Sequence, residues 1–280
     1  MLIALFPNAQ KKHAFDLATG VREYLLSRGV QLVVEDSQAA AFHATPLSSI
    51  DPKDIDFAIS MGGDGTILRL LHRHPEMNAP IIGINLGHLG FMSEIPIADV
   101  YPSLHDLLSG NYRVENRIAM EAIVPNGDPF FAVNDIVVHR ARNPSLVDLA
   151  IHVGDTYLNT FSADGIILST PSGSTAYSLA AGGPILVPEL DALVLTPISP
   201  HTISNRPIVL ASNQEIQIQY LSEYDPVEIT YDGISQFTLR TGEVLRIRRS
   251  PRIFRLVSLL RRDYFSTLRT KLGWTGKLRE

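Results

Sequence analysis

The hydrophobic rhythm of the chain changes once, near Tyr112, and that change limits the folds open to it. Before it, short apolar runs at residues 2–6, 30–34, 55–61 and 81–85 alternate with segments of helical spacing. Residues 13–27 set Phe15, Ala18, Val21 and Leu25 on one stripe, and Gly29 follows as a stop signal. Residues 66–72 read as another helix, with Pro75 just beyond. Alternating strands and helices predict a parallel sheet with helices on its faces. After the change the period is two. Ile118, Met120, Ala122 and Val124 alternate with other residues, as do Ile216, Ile218 and Tyr220, and Val227, Ile229 and Tyr231. "HVGDTYLN" reads as a hairpin turning at Gly154-Asp155. The expected architecture is therefore an α/β domain over 1–112, with a Rossmann-like parallel sheet, followed by a β-rich domain over 113–249. Residues 265–272 read as a last helix within a segment, about 250–280, that returns to the first domain.

Composition narrows the function. With 45% apolar and 19% charged residues, 280 residues can bury a core in one large or two ordinary domains. The lack of cysteine excludes disulfides and thiolate metal sites. "MLIALFPNAQKK" has neither the basic start nor the long apolar run of a signal peptide, and no run approaches the roughly 18 apolar residues of a membrane span. The expectation is a cytoplasmic protein with no membrane partner. A net charge of −5 argues against nucleic acid as a partner. Residues 240–280 nevertheless hold 12 of the 24 Lys and Arg, opposed only by Glu243, Asp263 and Glu280. They read either as a solvated basic strand and helix, or as cations for phosphates or an acidic neighbouring subunit.

"ISMGGDGTIL" (59–68) puts a carboxylate, Asp64, among three glycines between a strand and a helix start. Ligands gather at the C-terminal ends of strands in open parallel sheets. Glycines let backbone approach a ligand, and a helix N-terminus suits phosphate. A carboxylate repels phosphate unless it holds a metal or accepts a proton, and the alternative is an aspartate capping the helix. No Gly-Lys-Ser/Thr follows, so this is not a Walker loop. "IIGINLGHLGFM" is a second glycine-rich strand end, weak alone. "ADGIILSTPSGSTAYSLAAGGP" packs Asp164, Ser169, Thr170, Ser172, Ser174, Thr175, Tyr177 and Ser178 among glycines, a set suited to a polyhydroxylated, phosphorylated ligand, with Tyr177 free to stack on a base. "FFAVNDIVVHR" places Asn134-Asp135 in an apolar run, where they either pair with each other structurally or take two ribose hydroxyls.

Together these stretches resemble the NAD kinase family, in particular its bacterial members. "GGDGT", "GINLGHLGF", "VNDIV", "DGIILSTPSGSTAYSLAAGGP", "PISPHTISNRPIV", "YDG" and "YFSTLRTKLGW" occur in the family's order from about residue 55 to 274. "GGDGT" is shared with lipid kinases, whereas the long block from Asp164 to Pro184 is specific. The resemblance implies an α/β domain, a β-sandwich-like domain and a final helix returning to the first. It implies transfer of the γ-phosphoryl group of ATP to the 2′-hydroxyl of the adenosine ribose of NAD, a divalent metal, usually Mg²⁺, and a homo-oligomer, dimer or tetramer, whose active sites draw on neighbouring subunits. By the same resemblance Asp64 is the acceptor of the hydroxyl proton and lies with Gly65 at the NAD site. Asn134 and Asp135 match the pair that holds NAD, and Asp164 the acid near its nicotinamide end. Thr175, Ala176, Tyr177 and Ser178, extended by Leu179 and Ala180, match the segment that wraps the dinucleotide. Arg69 stands where a basic residue is often placed near phosphate. The chain departs from common family residues at Ser145, Ser162 and Ile234, which touches the phosphate and adenine contacts.

Two rival readings remain on sequence alone. A lipid kinase would share "GGDGT" without the Asp164–Pro184 block. A non-catalytic dinucleotide sensor would keep Asn134, Asp135 and Tyr177 without needing Asp64.

Overall fold

The computed structural model describes residues 1–11, 14–125, 127–261 and 263–276. The chain forms two compact units, one of Met1–Asn116 together with the segment from Arg255 onward, the other of Arg117–Phe254.

In the first unit β1 (Leu2–Pro7), α1 (Ala14–Leu26), β2 (Gln31–Val34), α2 (Asp36–Phe42) and β3 (Thr45–Pro46) wind one way from the sheet centre. β4 (Phe57–Gly62), α3 (Asp64–Arg73), β5 (Ile81–Asn85), β6 (Ile95–Pro96) and α4 (Val100–Leu108) wind the other. The strand order β3-β2-β1-β4-β5 is parallel throughout. Strand residues alternate between faces. Ile3, Leu5, Ile59, Met61, Ile82 and Ile84 join Ala18, Val21 and Leu25 of α1 and Leu104 and Leu107 of α4 in one core. The opposite face carries small residues, Ala4, Ala58, Ser60 and Gly83, all in the strand interiors. This lets α3 sit close: a Cβ on Gly83 would come within 3.0 Å of Ile67 Cδ1 and 2.4 Å of the Met92 carbonyl.

The reading of 13–27 as a helix holds for α1, with His13 outside the described residues and Gly29 in the left-handed region at φ 75°. Its buried stripe is Ala14, Ala18, Val21 and Leu25, not Phe15, which is exposed and packs on Phe42 at 4.7 Å. α3 is longer than its apolar spacing suggested, because its first turn contains the glycine motif itself.

The second unit is antiparallel. β7 (Tyr112–Ile123) enters it and β18 (Val244–Leu259) leaves it. Between them run β8 (Phe130–Ala132), β9 (Asp135–His139), β10 (Val147–Val153), β11 (Thr156–Ala163) and β12 (Gly165–Ser169). After the single turn α5 (Tyr177–Ala180) come β13 (Ala192–Ile198), β14 (Ile208–Ala211), β15 (Ile216–Tyr220), β16 (Val227–Tyr231) and β17 (Ile234–Leu239). One sheet is ordered β14-β13-β12-β9-β16-β17, and β11-β10-β15-β18 run side by side in the other. Inward residues of both, among them Met120, Ile136, Leu149, Leu168, Ile218, Ile229 and Ile247, share one core, as the period of two requires of a sandwich. The hairpin turn falls between β10 and β11, with Gly154 at φ 57°.

The last helix, α6 (Tyr264–Leu272), is capped by Asp263 at its start and Gly273 at its end. It belongs to the first unit, where Lys271 Nζ donates to the Leu89 carbonyl at 2.6 Å and lies 4.9 Å from the Phe91 ring centre. Several cations of the basic C-terminal region are paired within their own units: Arg246 with Glu215, Arg248 with Glu121, Arg249 with Asp191, and Arg261 with Asp106. Arg262, Lys277, Arg279 and Glu280 lie outside the described residues.

Candidate active site

β1 and β4 are neighbours whose following helices turn to opposite sides, so the crevice beyond their C-terminal ends is the topological switch point of the first unit. Asn8 and Gly62-Gly63 stand there, with the Asn8 N–H bonded to the Met61 carbonyl at 2.9 Å. A Cβ on Gly62 would lie 2.2 Å from Thr66 Oγ1, so the tight entry into α3 requires glycine. Gly63, in extended backbone, is the cap residue, and Asp64 is the first residue of the helix. The Thr66 hydroxyl accepts from the Gly63 N–H at 3.4 Å.

Asp64 therefore does not cap α3, the structural alternative that its sequence position left open. Its carboxylate reaches across to residues 91–93. Oδ2 accepts the Phe91 N–H at 2.7 Å; Oδ1 accepts the N–H groups of Met92 at 3.1 Å and Ser93 at 2.8 Å, and the Ser93 hydroxyl at 2.7 Å. A Cβ on Gly90 would sit 2.0 Å from Asp64 Oδ1, so this seat exists only with glycine at 90. Asn85, at the end of β5, folds the loop back: it accepts the Gly87 N–H at 2.6 Å and donates to Ser93 Oγ at 3.1 Å and to the His88 carbonyl. The two glycine-rich stretches that looked separate in sequence are thus one device that fixes one carboxylate. Gly65 is exposed beside Asp64, and Arg69 is exposed one turn further along α3.

In the second unit three motifs meet. Asp232, in the left-handed region at φ 47°, turns β16 into β17 with Gly233 at φ 79°. Its carboxylate accepts the N–H groups of Val133 at 2.9 Å, Asn134 at 2.7 Å and Asp135 at 3.3 Å. The Asn134 carbonyl accepts the Thr170 N–H at 2.9 Å, and a Cβ on Gly173 would lie 2.1 Å from that oxygen. "VND", "STPSG" and "YDG" therefore pack as a single knot. Within it Asn134 Oδ1 is buried and has no hydrogen-bond partner among the described residues. Asp135 is 7% exposed, and burial, then the neighbouring charge of Asp232, pushes its carboxyl from an ordinary 3.8 up to about 7.

The hydroxyls of the Asp164–Pro184 block correct one expectation drawn from sequence. Ser169, Thr170, Ser174 and Ser178 are fully buried and serve the fold. Thr170 Oγ1 donates to the Val133 carbonyl at 2.5 Å, Ser174 Oγ to the Pro171 carbonyl at 2.7 Å, and Ser178 Oγ pairs with Thr196 Oγ1 at 2.9 Å. What the segment offers outward is Thr175 and Ala176, partly exposed, then Tyr177 with its ring half-exposed, with Leu179 and Ala180 behind. Asp164 lies at the other end of the β9–β12 pair from Asp135, since Gly165 faces His139 while Ser169 faces Asp135. There Arg140 Nε holds Asp164 Oδ1 at 2.6 Å. Arg140, Asp232 and Ser93 are the residues that sequence reasoning did not single out. Of these only Asp232 carried a signal, in the "YDG" turn, while Gly90 stood in the glycine-rich stretch with no role given to it.

Comparison with known proteins identifies the family. Residues 3–112 match the ATP-NAD kinase N-terminal domain family, and residues 133–259 the ATP-NAD kinase C-terminal domain family. The chain is 56% identical to an NAD kinase of Protochlamydia amoebophila, over 99% of this chain and all of that one. It is 39% identical to an NAD kinase of Geotalea daltonii, over 97% of this chain and 98% of that protein. Among solved structures it is similar to a yeast NADH kinase complexed with NADH, with a TM-score of 0.87 and 26% identity, covering all of this chain and 89% of that one. It shares its fold with an NAD kinase from Archaeoglobus fulgidus in complex with ATP, with a TM-score of 0.76 and 24% identity over 99% of this chain and all of that one. Matched in both units and along nearly its whole length, the chain belongs to the NAD kinase family.

Proposed function

We propose that the protein transfers the γ-phosphoryl group of ATP to the 2′-hydroxyl of the adenosine ribose of NAD, giving NADP, with Asp64 accepting the hydroxyl proton. The observation that carries this is the seat of Asp64. It is a single carboxylate at a glycine turn and a helix start, held in place by four hydrogen bonds. Three of them fall on Oδ1 and one on Oδ2, so Oδ2 keeps acceptor capacity for the incoming hydroxyl. Phosphoryl transfer asks the protein mainly to position the nucleophile and stabilise charge. A fixed acceptor that takes the proton late, as the new P–O bond forms, meets that need. The half-positive N-terminus of α3 faces the developing charge, and Arg69 is assigned to the phosphates.

By the family resemblance NAD is assigned to Asp64, Gly65, Asn134, Asp135, Asp164, Thr175, Ala176, Tyr177, Ser178, Leu179 and Ala180. The unpaired Asn134 Oδ1 supplies an acceptor and the Asp135 carboxyl a second polar group for ribose hydroxyls, and the half-exposed Tyr177 supplies a ring for a base. Ser178, with its hydroxyl turned inward, contributes backbone. Asp164 and Asp135 are separated by about 17 Å of strand, at ~3.3 Å per residue. By the family resemblance the protein is assigned to a homo-oligomer, a dimer or tetramer, with active sites shared between copies. Among the described residues no three His, Asp or Glu cluster as a metal cage. The divalent metal is assigned as Mg²⁺ by the family resemblance; it would keep its waters and be held largely by substrate phosphates, and when bound it would neutralise charge on the transferred group. Among the described residues no helix is long and apolar enough to cross a membrane. The assignment to the cytoplasm is carried over from the expectation drawn from the sequence.

The test is NADP formation from NAD and MgATP, read through an NADP-specific dehydrogenase, with Asp64→Asn and chelator controls. NADP from the wild type alone, and only with metal, is the expected result. NAD binding without NADP formation by the wild type would establish the sensor reading instead.

A further inference from the structure

Beside Arg69 on α3 lies a cleft most of whose residues have no role so far. It measures about 290 Å³ and opens at the C-terminal ends of β1 and β2, with Asn8, Glu35, Gln38, Thr66, Arg69 and Arg73 among its walls. It approaches the size of ordinary ligand clefts, ~300–1,000 Å³. The β1–α1 connection contains no glycine, so the close backbone approach that a phosphate needs is offered by Gly62-Gly63 instead. Glu35 directly follows β2. In doubly wound nucleotide-binding folds an acid at the end of the second strand takes ribose hydroxyls.

The local bonding of Glu35 suits that task. Arg73 Nη1 at 2.6 Å and His74 Nε2 at 3.4 Å both meet its Oε1. Among the described residues Oε2 accepts no hydrogen bond, so the carboxylate is anchored through one oxygen and open at the other. On the floor, Gln38 Nε2 donates to the Pro7 carbonyl at 3.2 Å, which fixes the amide and leaves its buried Oε1 without a partner among the described residues. Thr66 and Arg69 form the wall nearest the glycine turn.

We propose that this cleft receives the nucleoside end of the phosphoryl donor. Glu35 Oε2 accepts from a ribose hydroxyl, Gln38 Oε1 accepts from a second donor group of the nucleoside, and the phosphates run past Arg69 to the Gly62-Gly63 turn. The assignment rests on the kinase reading, with ATP as donor. It makes Glu35 the residue by which the enzyme prefers a nucleotide donor over inorganic polyphosphate.

The experiment compares wild type, Glu35→Gln and Arg73→Met with ATP, 2′,3′-dideoxy-ATP and inorganic polyphosphate as donors, at saturating NAD. A single charge-assisted hydrogen bond predicts about a tenfold rise in the KM for ATP in Glu35→Gln, with the KM for NAD and the polyphosphate rate unchanged. Wild type should lose the same factor on going from ATP to the dideoxy donor, and Glu35→Gln should lose little more. Arg73→Met breaks the same ion pair but keeps Oε2, so it should still discriminate between ATP and the dideoxy donor. If wild type and Glu35→Gln discriminate equally, or if Arg73→Met loses discrimination as fully as Glu35→Gln, Glu35 does not read the ribose. A wild type that makes no NADP from ATP would instead overturn the kinase reading.

Discussion

Each unit uses one aspartate to gather three consecutive backbone N–H groups, but to different ends. Asp64 takes those of residues 91–93, and Asp232 those of residues 133–135. In the first unit the gathering residue is the one proposed to react, and the loop serves it. In the second the gathering residue serves the loop, and what it holds in place is another acid. Asp135 is buried beside Asp232 and titrates near 7 in consequence. The same local device thus fixes the proposed proton acceptor in one unit and, in the other, a buried carboxyl pushed up to about 7.

The largest effect should come from the reactive side. Asp64→Asn keeps the size and some of the hydrogen bonds but removes the proton acceptor, so kcat should fall roughly 10²–10⁴-fold with the KM for NAD little changed. Steady-state kinetics reads both. On the other side Asp232→Asn leaves an acceptor of half the capacity for three amides. The expectation is a loss of about 1–3 kcal/mol of stability and a rise in the KM for NAD that exceeds any fall in kcat, read by denaturant unfolding and kinetics. Equal behaviour of the two variants would erase the distinction between the units.

Asp135 gives the second unit a pH signature. Below about pH 4 its carboxyl is protonated in folded and unfolded chains alike, and burial carries no penalty. Between about 4 and 7 the unfolded chain has lost the proton while the folded chain keeps it, so stability falls as pH rises. Above about 7 both have lost it and the penalty is constant. Asp135→Asn should therefore flatten this part of the stability–pH curve and raise the melting temperature at pH 8. Thermal unfolding without nucleotide checks this, and an unchanged slope would contradict it. The smallest effect is expected from Ser93→Ala, which removes one of the four donors to Asp64 and should lower kcat by a few-fold only, in the same assay.

What was readable in the sequence divides along physical lines. Strands and the two hydrophobic periods are local properties, and they led to both sheets and to α6. α2 went unread because it has only seven residues, and α4 because Pro102 interrupts its apolar spacing in the first turn. Phe15 fell on the apolar stripe by spacing, yet the smaller Ala14 is buried and Phe15 lies outside. The individual motifs were visible, but not their partners. Asp64 is bound by backbone N–H groups 27 to 29 residues away, and any residue type can supply an N–H. The only sequence trace of that contact is Gly90, whose missing Cβ makes room for the carboxylate. Buried hydroxyls in the Asp164–Pro184 block looked like ligand contacts because composition cannot say which way a serine faces. Arg140 was one cation among 24 until the β9–β12 register set it against Asp164.

The central claim is that the two glycine motifs of the first unit act as one device through Asp64. A double-mutant cycle on kcat tests it most directly, using Gly90→Ala, Asp64→Asn and the combination, with NAD affinity and melting temperature measured beside it. Gly90→Ala should displace the carboxylate and lower kcat by about 10²-fold, and the double variant should be no slower than Asp64→Asn alone. A wild-type kcat in Gly90→Ala, or losses that multiply in the double variant, would contradict the account.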